Sequence, residues 1–133
     1  MVSTRKGIDV RQVMGAWQLV SFTATDAHGE VTHPFGTEVR GLIIYTPDGH
    51  MSAHVAGEDG YLGYAGTFEW LGDRVVHRTV VGSEPRWTEA HLLRTAHLAA
   101  GRLTLRSLPD DNGQILGTVW QRMPLGPATE AER

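Results

Sequence analysis

The sequence predicts an all-β fold: a single eight-stranded up-and-down antiparallel barrel, with a short N-terminal helical turn closing one end. Three observations predict it. Eight short β-type runs, at about 16–25, 39–46, 50–56, 63–71, 74–82, 88–99, 102–108 and 114–123, are separated by turn signals, and no helical periodicity follows residue 15. Tight-turn sequences join consecutive runs, so neighbours pair in order. Within the runs apolar and aromatic residues alternate with charged ones, and closing such a sheet on itself removes its edges.

The elements follow in order. Asp9 and Gln12 bracket a capping box before a helical turn that ends near Gly15. Trp17, in "GAWQLVSF", starts the first run, and a short extra strand is expected near Val31. "TPDGH" has proline, aspartate and glycine in the order of a type I turn with a glycine bulge. It places Ile43, Tyr45, Met51, Ala53 and Val55 on the inner face, with His54 outside. "LGDR" is a two-residue hairpin with Gly72 first, which pairs Leu71 with Arg74 and sets Phe68 opposite His77. The face carrying Thr67, Glu69, Arg74 and Arg78 must meet water. Tyr64, Phe68, Trp70, His77, Thr79 and Val81 therefore point inward. "AAGR" pairs Ala99 with Arg102 and brings Arg94 inside together with Leu92, Ala96, Leu103 and Leu105. "PDDNGQ" is a longer loop. Residues 1–13 read as an arm with a short helix, 14–123 as the barrel and 124–133, "PLGPATEAER", as a flexible tail.

Composition narrows the function classes. One domain of 133 residues with 41% hydrophobic and 20% charged residues is an ordinary globular chain. A net charge of −3, with Lys6 the one lysine among 12 basic residues and the arginines scattered among acids, argues against nucleic acid or an anionic membrane as partner. The absence of cysteine removes disulfides, thiolate metal sites and cysteine nucleophiles. No apolar run suits a signal peptide or a membrane span, so a cytoplasmic location is expected. The exterior faces of a barrel leave a homodimer open.

The residues reached so far resemble the bacterial and fungal lipocalin-like domain family, small relatives of the calycin barrels. The likeness runs from about Met14 to Met123 and is carried by "GAWQLVSF", "HPFG", "RGLIIYTPDGHMSA", "YAGTFEW", "VVHRTVV", "PRW", "LLRTAHL" and "VWQR", the third being the most specific. The resemblance implies that Trp17 plugs the closed end and that Arg122 packs across it as a cation–π pair. It also implies an open end ringed by "VAGEDGYLGY" and "GSEPRW". Where "AAGR" stands, the family usually has an Asp-Gly type of turn.

Such an interior is either filled or left open for one small ligand. Tyr45, Tyr64, Phe68, Trp70, His77, Trp87 and Arg94 are the candidate ligand-binding residues, the aromatic ones either lining a pocket for a planar or polycyclic molecule or filling the core. His77 and Arg94 are also candidate catalytic groups, an acid or base beside a holder of an anionic oxygen. The structural alternative bonds Arg94 to loop carbonyls or brings it towards Glu69. No cofactor and no metal site is expected, since the seven histidines suggest no ligand set. Three functions stay open: a binder of a small hydrophobic or polycyclic ligand, a cyclase or isomerase tailoring natural products such as polyketides in the same cavity, or a partner-binding barrel with a filled interior.

Overall fold

The computed structural model describes residues 7–124. The first six residues of the expected arm, and residues 125–133 of the expected tail, lie outside the described residues. Nine strands run in chain order: β1 (Gly15–Thr25), β2 (Val31–Thr32), β3 (Val39–Tyr45), β4 (His50–Gly57), β5 (Gly60–Trp70), β6 (Arg74–Gly82), β7 (His91–Ala99), β8 (Arg102–Ser107) and β9 (Ile115–Arg122). From β3 to β9 each strand pairs antiparallel with the next, and β1 pairs with β3 on one side and β9 on the other. Eight strands thus close a barrel, with the two-residue β2 attached to the end of β1. Among the described residues no helix is long and apolar enough to cross a membrane.

The turns set the register as the sequence predicts. Thr46 N–H donates to the His50 carbonyl at 2.9 Å, with Gly49 in the left-handed region at φ +89°. Leu71 N–H donates to the Arg74 carbonyl at 2.8 Å, and Phe68 sits opposite His77. The alternation then breaks in two places. A bulge at Val20 shifts β1 against β9, so the buried positions run Trp17, Leu19, then Phe22 and Ala24. A second bulge shifts β6 against β5 between Thr79 and Val81, which turns Val81 outward, 59% exposed, rather than inward as expected.

Two boundaries also differ from expectation. β5 starts at Gly60, so the supposed loop in "VAGEDGYLGY" shrinks to a turn at residues 58 and 59. β7 starts at His91, because Pro85–Trp87 folds into a helical turn that delays the strand.

The closed end is built around Trp17, 1% exposed. The Arg122 guanidinium lies over its ring at 4.3 Å from the centroid, a cation–π contact. Arg122 also donates to the Met14 carbonyl at 2.6 Å and to the Gln12 carbonyl. The segment before β1 covers this end. Its turn, Val10–Gln12, is capped by Asp9 and Gln12 as a capping box. Trp17 Nε1 donates to the Val13 carbonyl at 2.9 Å, and Trp70 Nε1 donates to the Ile8 carbonyl at 2.8 Å. At the opposite end the chain runs through three longer connections, residues 26–38, 83–90 and 108–114.

Two substitutions test this account by urea denaturation. Arg122→Leu removes a cation–π contact and two carbonyl bonds, and is expected to cost about 1–3 kcal/mol. Ala100 stands in the β7–β8 turn at φ +53°, a conformation costly for alanine. Ala100→Asn, giving an Asn-Gly turn, is expected to raise stability by about 0.5–1 kcal/mol.

Candidate ligand site at the open end

The site is formed where the inner faces of the strands reach the three longer connections. Phe35, from the 26–38 connection, folds over the mouth and stacks on Phe22 with ring centroids 5.0 Å apart. It can do so because Gly57 and Gly60 flank the β4–β5 turn, where any Cβ would collide with Phe35. This connection, rather than the β4–β5 turn, supplies that side of the rim. On the other side the helical turn Pro85–Trp87 drops Trp87 inward until it is 5% exposed, 5.9 Å from the Tyr64 ring. Trp87 Nε1 donates to a Glu84 carboxylate oxygen at 3.0 Å, which fixes the indole. "GSEPRW" thus rings the open end, as the resemblance implies.

Two spaces meet here. An interior cavity of about 40 Å³ lies among apolar side chains including Phe22, Ile43, Val55, Leu105 and Trp120, with Tyr64, His77, Arg94 and Thr118 as its polar groups. A mouth of about 410 Å³ opens above it, bounded by Thr32, Pro34 and Phe35 on one side and Arg86, Leu108, Asp110 and Gln114 on the others. Phe22, Leu62, Trp87, Arg94 and Leu116 border both. At roughly 10–15 Å³ per water the interior holds a few waters, not a ligand, whereas the mouth falls within the ~300–1,000 Å³ of ordinary ligand sites.

Of the candidate residues, Tyr64, His77, Trp87 and Arg94 come together around the interior cavity. Tyr45, Phe68 and Trp70 line neither space. Tyr45 packs edge-on against Phe68 at 4.7 Å and against Trp70 at 6.1 Å, and Trp70 is tied to Ile8, so these three fill the closed half. The strand geometry explains the split: residues that share a face but lie six positions apart sit about 20 Å apart along the barrel. Phe22, Phe35, Leu62 and Leu116 were not singled out by the sequence. The β1 bulge hides the phase of Phe22, and β9 follows a long loop that sets no register for Leu116.

His77 is 1% exposed and bridges two tyrosines. Its Nε2 lies 2.6 Å from the Tyr45 hydroxyl and its Nδ1 2.9 Å from the Tyr64 hydroxyl. Burial, and then the positive charge of Arg94, push its pKa down to about 3, so the imidazole is neutral. Burial raises Tyr45 well above the usual tyrosine range, and it also raises Tyr64, against the pull of Arg94.

Arg94 is half-buried, with its guanidinium carbon 6.0 Å from the Trp87 ring centroid. Among the described residues it makes a long hydrogen bond, 3.4 Å, to the Leu93 carbonyl, and it lies near enough to the Tyr64 hydroxyl to pull on it as a donor. No carboxylate pairs with it among the described residues; Glu69 pairs instead with Arg78 on the outside, at 2.8 Å. No three His, Asp or Glu side chains converge as a metal site among the described residues.

A closed antiparallel barrel plugged by a tryptophan–arginine pair and open at the other end matches known proteins. The profile of the lipocalin-like domain family matches residues 14–60, which hold the plug, the "HPFG" connection and the β3–β4 hairpin. The fold is that of a lipocalin-like barrel. A crystal structure of a lipocalin-like protein from Bacteroides uniformis has the same fold, with a TM-score of 0.52 at 16% sequence identity over 84% of this chain and 99% of that one. No curated protein matches the sequence significantly. Neither likeness names a ligand or a reaction.

The depressed His77 pKa makes a stability prediction. In the unfolded chain this histidine has its ordinary value near 6.5, so unfolding takes up a proton between that pH and about 3. Its contribution is complete above pH 6.5 and falls as the pH drops, by up to about 1.4 kcal/mol per pH unit. Urea midpoints between pH 7 and pH 4 should fall more steeply for the parent than for His77→Gln.

Proposed function

We propose that this lipocalin-like barrel binds a small, largely apolar molecule at its open end, with the body in the mouth and one end reaching into the interior cavity. The observation that carries the reading is the boundary shared by the two spaces. There Phe22, Leu62 and Leu116 offer apolar surface, Trp87 an aromatic face, and Arg94 a guanidinium with no carboxylate partner among the described residues. A half-buried guanidinium left unpaired beside an apolar cavity is a natural anchor for an oxygen-bearing ligand end. The cysteine-free composition fits the reducing cytoplasm, where we place this activity.

Binding is favoured over acid–base catalysis by His77. Both ring nitrogens already face tyrosine hydroxyls. Protonating the imidazole is opposed by burial and by Arg94, and drawing a proton from Tyr45 would leave a buried phenolate. Neither end of the row carries a charge readily, so the row is better suited to holding a ligand than to exchanging protons with it.

The test is native mass spectrometry on protein purified from its own host, together with titration of the neutral fluorophore N-phenyl-1-naphthylamine. A noncovalent extra mass that is lost on denaturation, or saturable fluorescence enhancement, is expected for the parent. Leu116→Trp, which fills the boundary, should weaken fluorophore binding at least about tenfold while melting stays cooperative. A bare chain mass together with no fluorophore binding overturns the reading.

A further inference from the structure

The row Tyr45–His77–Tyr64 has a direction, and the direction constrains the ligand. A neutral imidazole has one N–H donor and one acceptor nitrogen. If Nε2 carried the proton it would donate to the Tyr45 oxygen, and the Tyr45 O–H would have to find another acceptor. Tyr45 is fully buried, and among the described residues its hydroxyl has His77 as its one hydrogen-bond partner. A stranded buried hydroxyl proton is costly, so the opposite arrangement is the stable one. Tyr45 O–H donates to Nε2, and Nδ1–H donates to the Tyr64 oxygen. The Tyr64 proton is then committed to neither neighbour, and Tyr64 lines the interior cavity.

The other polar groups there are an unpaired donor and a hydroxyl that already has partners. Arg94 can only donate. Thr118 Oγ1 accepts from Trp120 Nε1 at 2.7 Å and donates to the Leu105 carbonyl at 3.5 Å. Building on the binding reading above, we infer that the buried corner of the site is donor-rich: Tyr45, through His77, leaves the Tyr64 proton free to point into the cavity beside the Arg94 guanidinium, so the site selects molecules whose inner end carries an oxygen acceptor, a carbonyl or an ionised oxygen. Tyr64 and Arg94 touch that oxygen, and Tyr45 and His77 are positioning residues.

A pair of isosteres tests this without knowledge of the natural ligand. 2-Acetylnaphthalene and 2-isopropenylnaphthalene differ in C=O against C=CH2 and share shape and apolar body. Competition against N-phenyl-1-naphthylamine should show the ketone binding about five- to tenfold more tightly to the parent, the worth of one neutral hydrogen bond in a desolvated site. Tyr64→Phe should abolish the preference. Tyr45→Phe, which never meets the ligand, should cut it below about threefold, because His77 can then take either tautomer and Tyr64 can turn its proton inward. Affinity for the alkene should be unchanged in Tyr45→Phe, whose side chain lines neither space, a readout that mere loss of packing would not spare.

Equal affinities for the two isosteres on the parent overturn the donor-rich corner and leave the binding reading standing. A preference that survives Tyr64→Phe assigns it to Arg94 and overturns the role of the row. A preference lost in Tyr64→Phe but intact in Tyr45→Phe overturns the directional control. Binding of neither probe, nor of the fluorophore, overturns the binding reading itself and this inference with it.

Discussion

Closure of β1 onto β9 is the constraint on which the rest of this structure depends. An open meander would leave one edge of β1 and one of β9 with unpaired backbone groups. Here β1 pairs with β9 from Trp17 to Thr25, and with β3 over Gly15 to Gln18. To serve both neighbours β1 bends, and the Val20 bulge is where it does so. That bend puts Trp17 and Leu19 in the closed half and turns Phe22 towards the mouth. The plug and the first wall of the site thus come from one strand, on either side of one bulge.

The two ends divide the work. At the closed end, turns of two to four residues and the Trp17–Arg122 pair leave little to vary, and Tyr45, Phe68 and Trp70 pack the space above. At the open end three longer connections, one of them pairing briefly with β1 through β2, bring Phe35, Trp87 and Leu108 over the rim. His77 stands between the halves, one nitrogen towards a tyrosine of the packed half and the other towards a tyrosine of the cavity. Its burial is tolerable because both nitrogens are partnered, and no buried side-chain polar atom among the described residues is left without a partner.

Most of the fold is legible in the sequence, because its signals are local. "TPDGH" and "LGDR" fix register within a few residues, and alternation carries it along the strands, so Phe68 opposite His77 follows from counting. The plug is legible by resemblance. What escapes counting is whatever breaks the count. The bulges at Val20 and near Val80 have no marker in residue type, and Val81 flips outward as a result. The site is legible in part for the same reason. Tyr64, His77 and Arg94 lie on strands whose turns set their phase, whereas Phe22 lies beyond a bulge and Phe35 in a long connection. That His77 meets Tyr45 depends on a contact across 32 positions, which no local pattern encodes.

The Arg122 clamp has a consequence for how the chain reaches this state. Apart from the pairings of β1 with β9 and, past the short β2, with β3, every strand pairing joins neighbours in sequence, so β3 to β9 can zip up progressively as a low-separation meander. The clamp reaches back 108 and 110 positions, to Met14 and Gln12, and cannot form until the last strand exists. During synthesis Trp17 therefore waits uncovered on its outer side while about a hundred residues emerge, roughly 5–20 s at ordinary elongation rates. The plug acts as a latch, and the barrel is exposed to misassembly until Arg122 arrives to shut it.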